Sequence, residues 1–419
     1  MNVYIYKSAR QKINDTEFEV VETKGLGHPD NLCDTIAEKI SAAYSKHCLE
    51  NYGTILRHMV DKITILGGGS KVSFGHGEMT APIRLLLNGR FTNNFNGEMI
   101  DYKTIVENTV KDHLKKVMPL LDTDKWVNII DNTHMNEGPG VVYDKNNITK
   151  NVRANFFSVN KTGEEKHHNN KFRTNDTSTT VGYYPLSALE RIVVFIEHLL
   201  NSDEFKSSHP FVGTDIKVMA IRHGDKIEIT SCVPFIANLT PTEEFYQENL
   251  IIINNKIISL LKLKFPDYHI KLFLNTRDNP QNHDFYLTAI GSAVESGDEG
   301  AIGRGNRSNG VIAFTRNMSI EAPSGKNPVY HTGKIYTAIG NKISKEIYEK
   351  YNFENTVYLT SKMGGEMRDP WCAAVELYGV EQDPDDKIKA DIETIIQTNL
   401  DHHQDMTMSL INGDSKVYN

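Results

Sequence analysis

The sequence predicts an α+β fold of mixed or antiparallel sheets, each covered by helices. Three observations predict it. Strand-like and helix-like patterns alternate from end to end, a β-hairpin is written into residues 215–231, and helical patterns recur at 185–200, 243–265 and 334–351. The chain has 419 residues, of which 39% are hydrophobic and 24% charged. That length and composition allow a large core divided into two or three units.

The elements follow in order. Leu32, Ile36, Ile40 and Tyr44 recur at helical spacing, with Asp30 as an N-cap candidate and Pro29 just before it, so a helix is expected immediately after His28. Residues 145–175, rich in Asn, Lys and His, form the longest stretch without a pattern. They read as an extended surface connection with Phe156, Phe157 and Val159 as apolar anchors, and no function follows from them. Asn175-Asp176-Thr177-Ser178-Thr179-Thr180-Val181-Gly182-Tyr183 reads as a turn and cap ahead of the helical pattern at 185–200. Asp215-Ile216-Lys217-Val218-Met219-Ala220-Ile221 begins in alternation. His223-Gly224-Asp225-Lys226 then supplies turn chemistry before Ile227-Glu228-Ile229-Thr230-Ser231. The period of two places Asp215 and Lys217 on one strand face, where both can act on one ligand.

The formal charge of −8 disfavours general attraction to nucleic acid or to an anionic membrane, so an anionic ligand must be met by local basic groups. Cys33, Cys48, Cys232 and Cys372 are far apart and form no Cys-x-x-Cys pair, which argues against a disulfide framework and a structural zinc site. The N-terminus lacks a basic region followed by a sustained apolar stretch, and the apolar run at 249–265 is broken by Asn254, Asn255, Lys256, Lys262 and Lys264. Neither export by that route nor membrane embedding is expected, and reduced thiols in the cytoplasm are the simplest reading.

Three glycine-rich constellations can carry chemistry. Glu22-Thr23-Lys24-Gly25-Leu26-Gly27-His28-Pro29-Asp30 runs from a strand end through glycines into a helix start, where exposed N–H groups attract anions. His28 can donate to an oxyanion and Asp30 can hold Mg²⁺; the alternative is a helix cap beside a polar histidine. Residues 291–307 set glycines among Glu295, Asp298, Glu299, Arg304 and Arg307, a mixture suited to a triphosphate, its metal ions and a ribose; a flexible surface loop is the alternative. Ser324-Gly325-Lys326-Asn327-Pro328 leads into a helix, so Lys326 is either a phosphate ligand outside any P-loop or part of a plain turn. Asp176 can hold a ligand ammonium or a ribose hydroxyl. Asp401-His402-His403-Gln404-Asp405 is assigned to a solvated helix end, and His167-His168 receives the same reading.

Taken in this order, residues 24–34, 175–186, 213–218, 291–307 and 325–336 resemble the archaeal-type S-adenosylmethionine synthetases. The resemblance implies that residues 1–419 form one chain of three similar α+β subdomains, interleaved in sequence about a pseudo-threefold axis. It implies active sites shared across a homodimer or higher homo-oligomer. It also implies the reaction of ATP and L-methionine to S-adenosylmethionine, phosphate and diphosphate, with Mg²⁺ and K⁺. Matching positions give His28, Lys217, Arg304 and Lys326 as catalytic candidates, Glu22, Asp176, Asp215 and Asp298 as substrate-binding candidates, and Asp30 as the Mg²⁺ ligand. Tyr330 and Thr332 depart from the family's usual Asn and Val, and the segment around residues 136–140 departs from its Gly-Ser-x-Asp-Leu loop. Two rivals remain at this point: a Mg²⁺-dependent polyphosphate or nucleotide hydrolase, and a non-catalytic nucleotide-binding subunit.

Overall fold

The computed structural model describes residues 1–134 and 173–417. Residues 145–172 of the connection, the 136–140 segment and His167-His168 lie outside the described residues. Three main sheets organise the rest. In the first, Asn2–Lys7 runs parallel to Cys372–Tyr378, which pairs antiparallel with Glu354–Thr360, and that strand pairs with Thr179–Tyr184. In the second, Val127–Thr133, Ile83–Phe91, Thr64–Leu66 and Gly300–Ala301 follow one another, and His58–Met59 also joins Ile83–Phe91. The third runs His269–Leu274, Lys226–Cys232, Lys217–His223, Phe18–Lys24 and Ile312–Ala313.

Each sheet has its own helices and its own apolar cluster. Ile335, Ile339 and Ile343 of the helix Thr332–Tyr351 pack on Val357, Leu359 and Val375 of the first sheet. Val106, Val110 and Leu114 of the helix Tyr102–Val117 join Ile36, Ile40 and Tyr44 of Pro29–Tyr52 over Ile83, Leu85 and Leu87. Leu189, Ile192, Val193 and Ile196 of Ala188–Asn201, with Ile253 and Ile257 of Glu243–Lys264, cover Val218, Ala220, Ile227 and Ile229. Fully burying one such side chain contributes about 1.5–3 kcal/mol. Between the first and third sheets runs a buried ionic chain. Arg222 holds Glu19, Glu19 accepts from Ser187, and Arg316 binds both Glu190 of the Ser187 capping box and Glu354 of the first sheet.

Several local expectations need correction. The helix begins at Pro29 as expected, but His28 is its N-cap and not Asp30: His28 Nδ1 accepts from the Asp30 N–H at 3.2 Å, and Pro29 fills the first position, where its missing N–H costs nothing. Asp30 is thereby released for tertiary contacts. Thr179–Tyr184 is a strand and not a turn, and the following helix starts at Ala188 behind the Ser187–Glu190 capping box. The hairpin forms, but its first strand starts at Lys217, so Asp215 lies just ahead of it. Residues 401–405 do form a helix end, the junction of Asp386–Asp401 with His403–Asn412, with Asp401, His402, Gln404 and Asp405 exposed; only His403 departs from the expectation, being buried.

Candidate active site

The site is built at the end of strand Phe18–Lys24, where Gly25 to Gly27 feed the helix Pro29–Tyr52. Leu32, Ile36, Ile40 and Tyr44 of that helix are fully buried, as their spacing predicts. A second stripe, Asp30, Asp34, Glu38 and Ser41, is buried too and meets irregular backbone. Asp30 Oδ1 accepts from Ala301 N at 3.1 Å, Asp34 accepts from Gly303 N and Gly305 N, and Glu38 Oε2 accepts from Gly325 N at 3.1 Å. Gly300 lies so close to the helix start that a Cβ there would collide with the Pro29 carbonyl. The helix therefore lines up the two later glycine-rich segments along itself. From Asp30 to Glu38 that is about 12 Å, eight residues at ~1.5 Å each.

Around the helix start, the structure brings together His28, Asp30, Glu22, Lys217, Arg304, Asp215 and Asp298 from the sequence-derived set. Lys217 Nζ stands 3.2 Å from Glu22 Oε2, and Arg304 Nε 3.7 Å from Asp30 Oδ1. Burial chiefly, with the charges of Lys24, Lys217 and Arg304, pushes the His28 imidazole down to about 4. Its Nδ1 accepts from Asp30, so the ring is neutral near pH 7 and carries its proton on Nε2, free to donate. Asp215 is buried, accepting from Ala293 N at 2.9 Å and from the Tyr286 hydroxyl at 3.4 Å. Burial, with Asp298 adding like charge, raises its carboxyl to about 7. Asp298 itself is exposed.

Lys326 and Asp176 lie elsewhere, in a second cluster. Buried Lys326 pairs with Glu321 and stands 3.9 Å from Asp61. Glu321 also hydrogen-bonds Asp176. Burial raises the Asp176 carboxyl, helped by Glu321, whereas on Glu321 the bond and charge of Lys326 outweigh burial and keep it low. Asp176, Glu321 and buried His331 each offer a possible metal-ligand atom within 4.8 Å of the others.

Sequence reading missed Lys24, Asp34, Glu321, Asp61 and His331. Lys24 Nζ donates to Asp30 Oδ2 at 2.8 Å and to the Arg304 carbonyl at 2.6 Å, at the centre of the first cluster. It sits inside the first glycine motif, which was the available signal; Asp61 and Glu321 have none. Glu295, conversely, is structural: its carboxylate is consumed by the N–H groups of Ala289 and Ile290. A cavity of about 200 Å³ behind the Gly303–Gly305 turn, lined by Asp34, Tyr183, Arg307 and Arg316 among others, is smaller than the ~300 Å³ at which ligand pockets begin.

As to metal, Asp30 offers hard carboxylate oxygens, each still with a lone pair, but Lys24 holds one of them. The donor chemistry fits Mg²⁺ if Lys24 yields that oxygen.

A family model, S-adenosylmethionine synthetase (AdoMet synthetase), matches residues 1–414. The S-adenosylmethionine synthase of Hyperthermus butylicus is 34% identical over 428 aligned positions, covering 100% of this chain and 99% of that protein. That of Caldivirga maquilingensis is 36% identical over 420, covering 99% and 98%. Among solved structures, an S-adenosylmethionine synthetase from Campylobacter jejuni shares the fold, with a TM-score of 0.57 over 93% of this chain and 89% of that one at 15% identity. The chain belongs to the S-adenosylmethionine synthetase family.

Proposed function

We propose that this enzyme is a methionine adenosyltransferase: methionine sulfur attacks C5′ of ATP in line, expels the triphosphate, and the triphosphate is cleaved to phosphate and diphosphate before release. Family membership over the whole chain carries the reaction. The observation that carries the site is the convergence of Lys217, Arg304 and a neutral, Nε2-protonated His28 on one glycine-lined helix start.

The thioether needs no general base, so catalysis rests on aligning sulfur with C5′ and stabilising charge on the leaving oxygen. Lys217 and Arg304 supply positive charge to that oxygen chain, and His28 Nε2 donates a hydrogen bond to it. Because burial keeps His28 neutral, it acts as a donor and not as an acid. Asp215 and Asp298 serve the nucleotide and the methionine ammonium, with Glu22 fixing the Lys217 ammonium beside them. Bound Mg²⁺, held by Asp30, would add positive charge to the phosphates. No residue is assigned to K⁺.

Lys326 and Asp176 belong to the second cluster, about 12 Å along the helix from the first. A homodimer with shared sites lets the second cluster of one protomer face the first cluster of its partner. The outer faces of the sheets support such an assembly, since Met219, Ile221 and Phe273 on the third and Tyr4 and Tyr6 on the first are exposed. Three sheets, each with its own core, support the reading of three interleaved subdomains set about a pseudo-threefold axis. No helix among the described residues is long and apolar enough to cross a membrane, and a cytoplasmic enzyme is the reading we adopt.

The test is incubation with ATP, methionine, Mg²⁺ and K⁺, following S-adenosylmethionine by mass spectrometry beside phosphate and diphosphate. Equimolar formation of all three is expected; phosphate without the sulfonium product would mean a hydrolase. Lys217→Met and Arg304→Leu are each expected to lower turnover by about 10²–10³-fold with unchanged melting.

A further inference from the structure

Arg304 presents a puzzle of order. Its side chain is 74% exposed, yet every side of the turn that carries it is tied down. Asp34 Oδ1 accepts from Gly303 N at 3.0 Å and Oδ2 from Gly305 N at 3.2 Å, so one buried carboxylate spans the residues on either side of Arg304. Arg307 Nη1 donates to the carbonyls of the same two glycines, at 3.1 and 2.8 Å. Lys24 takes the carbonyl between them. Only glycine suits the flanks: Gly303 has φ +85°, and a Cβ at Gly305 would run into Asp34 Oδ2.

A surface loop needs no buried carboxylate, and placing one there carries a desolvation cost. The arrangement makes sense if the direction of the Arg304 side chain matters. A group that stabilises a leaving oxygen must be within a fraction of an ångström of its place, and a rigid backbone spares the long side chain much of its ordering entropy.

We propose that Asp34, with Arg307 on the opposite side of the turn, is a positioning residue that aims Arg304 at the triphosphate and so governs turnover more than substrate affinity. This rests on Arg304 acting in the reaction, as proposed above. Neither residue touches substrate; both act through the turn.

The experiment is a double-mutant cycle read as separate kcat and KM values. Asp34→Asn keeps the shape but sets an amide N–H₂ against one of the two backbone N–H groups. It is expected to lower kcat by about 10–100-fold, with KM for ATP and methionine within about threefold of the parent. On the Arg304→Leu background the same change is expected to cost nothing further, because the residue it positions is gone. Arg307→Gln, which loosens the turn from its carbonyl side, should repeat the pattern and replaces Asp34→Asn should that variant fail to fold. A further loss of the same size on the Arg304→Leu background would overturn the proposal in favour of a purely structural role. So would an unchanged kcat in Asp34→Asn beside a crippled Arg304→Leu. Full activity in Arg304→Leu would instead remove Arg304 from the site, and the positioning role with it.

Discussion

At the scale of single residues, burial decides protonation. Asp215 is 3% exposed, and its carboxyl is raised from 3.8 to about 7 by burial. The folded chain therefore keeps this proton over a range in which the unfolded chain has lost it. The resulting stabilisation is complete below about pH 4 and disappears as pH rises through about 7. Asp215→Asn removes the titration while keeping the shape. Relative to the parent, it should gain up to about 4 kcal/mol of stability between pH 4 and pH 8, measured by urea unfolding across that range. The same slope in both proteins would mean that Asp215 is not the buried acid responsible. Candidates of this kind were visible in the sequence: His28, Asp30 and Arg304 stand in glycine-rich motifs, and Lys217 stands on the alternating first strand of the hairpin. Lys24 lay inside the first of those motifs without being singled out, since one of its two partners is 280 residues away, and Asp34 carried no signal at all, since the backbone it holds is 269 residues away. A periodicity argument sees only neighbours on the same element.

At the scale of elements, the helix Pro29–Tyr52 shows both the strength and the limit of such reading. Its apolar stripe was visible, and the residues that form it pack as predicted. Its acidic stripe looks like a solvent face in sequence, yet it is buried against loops and against the helix Thr332–Tyr351. There Glu38 meets Lys334 at 2.7 Å, with both side chains nearly inaccessible. Burial lowers the Lys334 ammonium and Glu38 opposes that shift. Such a pair adds little net stability but is costly to break from one side, since a lone buried charge remains. Glu38→Ala should therefore lower unfolding stability by about 3–5 kcal/mol. The joint change Glu38→Leu with Lys334→Met should recover most of that loss. A loss below about 1 kcal/mol for Glu38→Ala, in urea titration, would show that the ammonium finds water instead.

At the scale of the molecule, long-range order was the least legible. The first strand, Asn2–Lys7, pairs with Cys372–Tyr378 near the other end of the chain, and Gly300–Ala301 closes a sheet begun before residue 70. Nothing local marks either pairing. The sheets also leave faces uncovered. On the third, Glu22, Met219, Thr230 and Phe273 stand in one cross-strand row, and Ile221, 43% exposed, lies one row further from Lys217. Alternation explains why: Val218, Ala220, Ile227 and Ile229 point to the covered side, so Met219 and Ile221 must point away. A partly apolar face that runs on from Lys217 is what a shared-site dimer would bury. Ile221 sits about 13 Å along the strand from Lys217, four residues at ~3.3 Å each, far enough not to touch substrate. Ile221→Glu would place like charges against each other across a two-fold contact. It should shift the protein toward monomer in sedimentation velocity and lower turnover at least about tenfold, with both recovering at high protein concentration. A monomeric variant with full activity would show that each chain carries a complete site; an intact dimer with full activity would put the interface on another face.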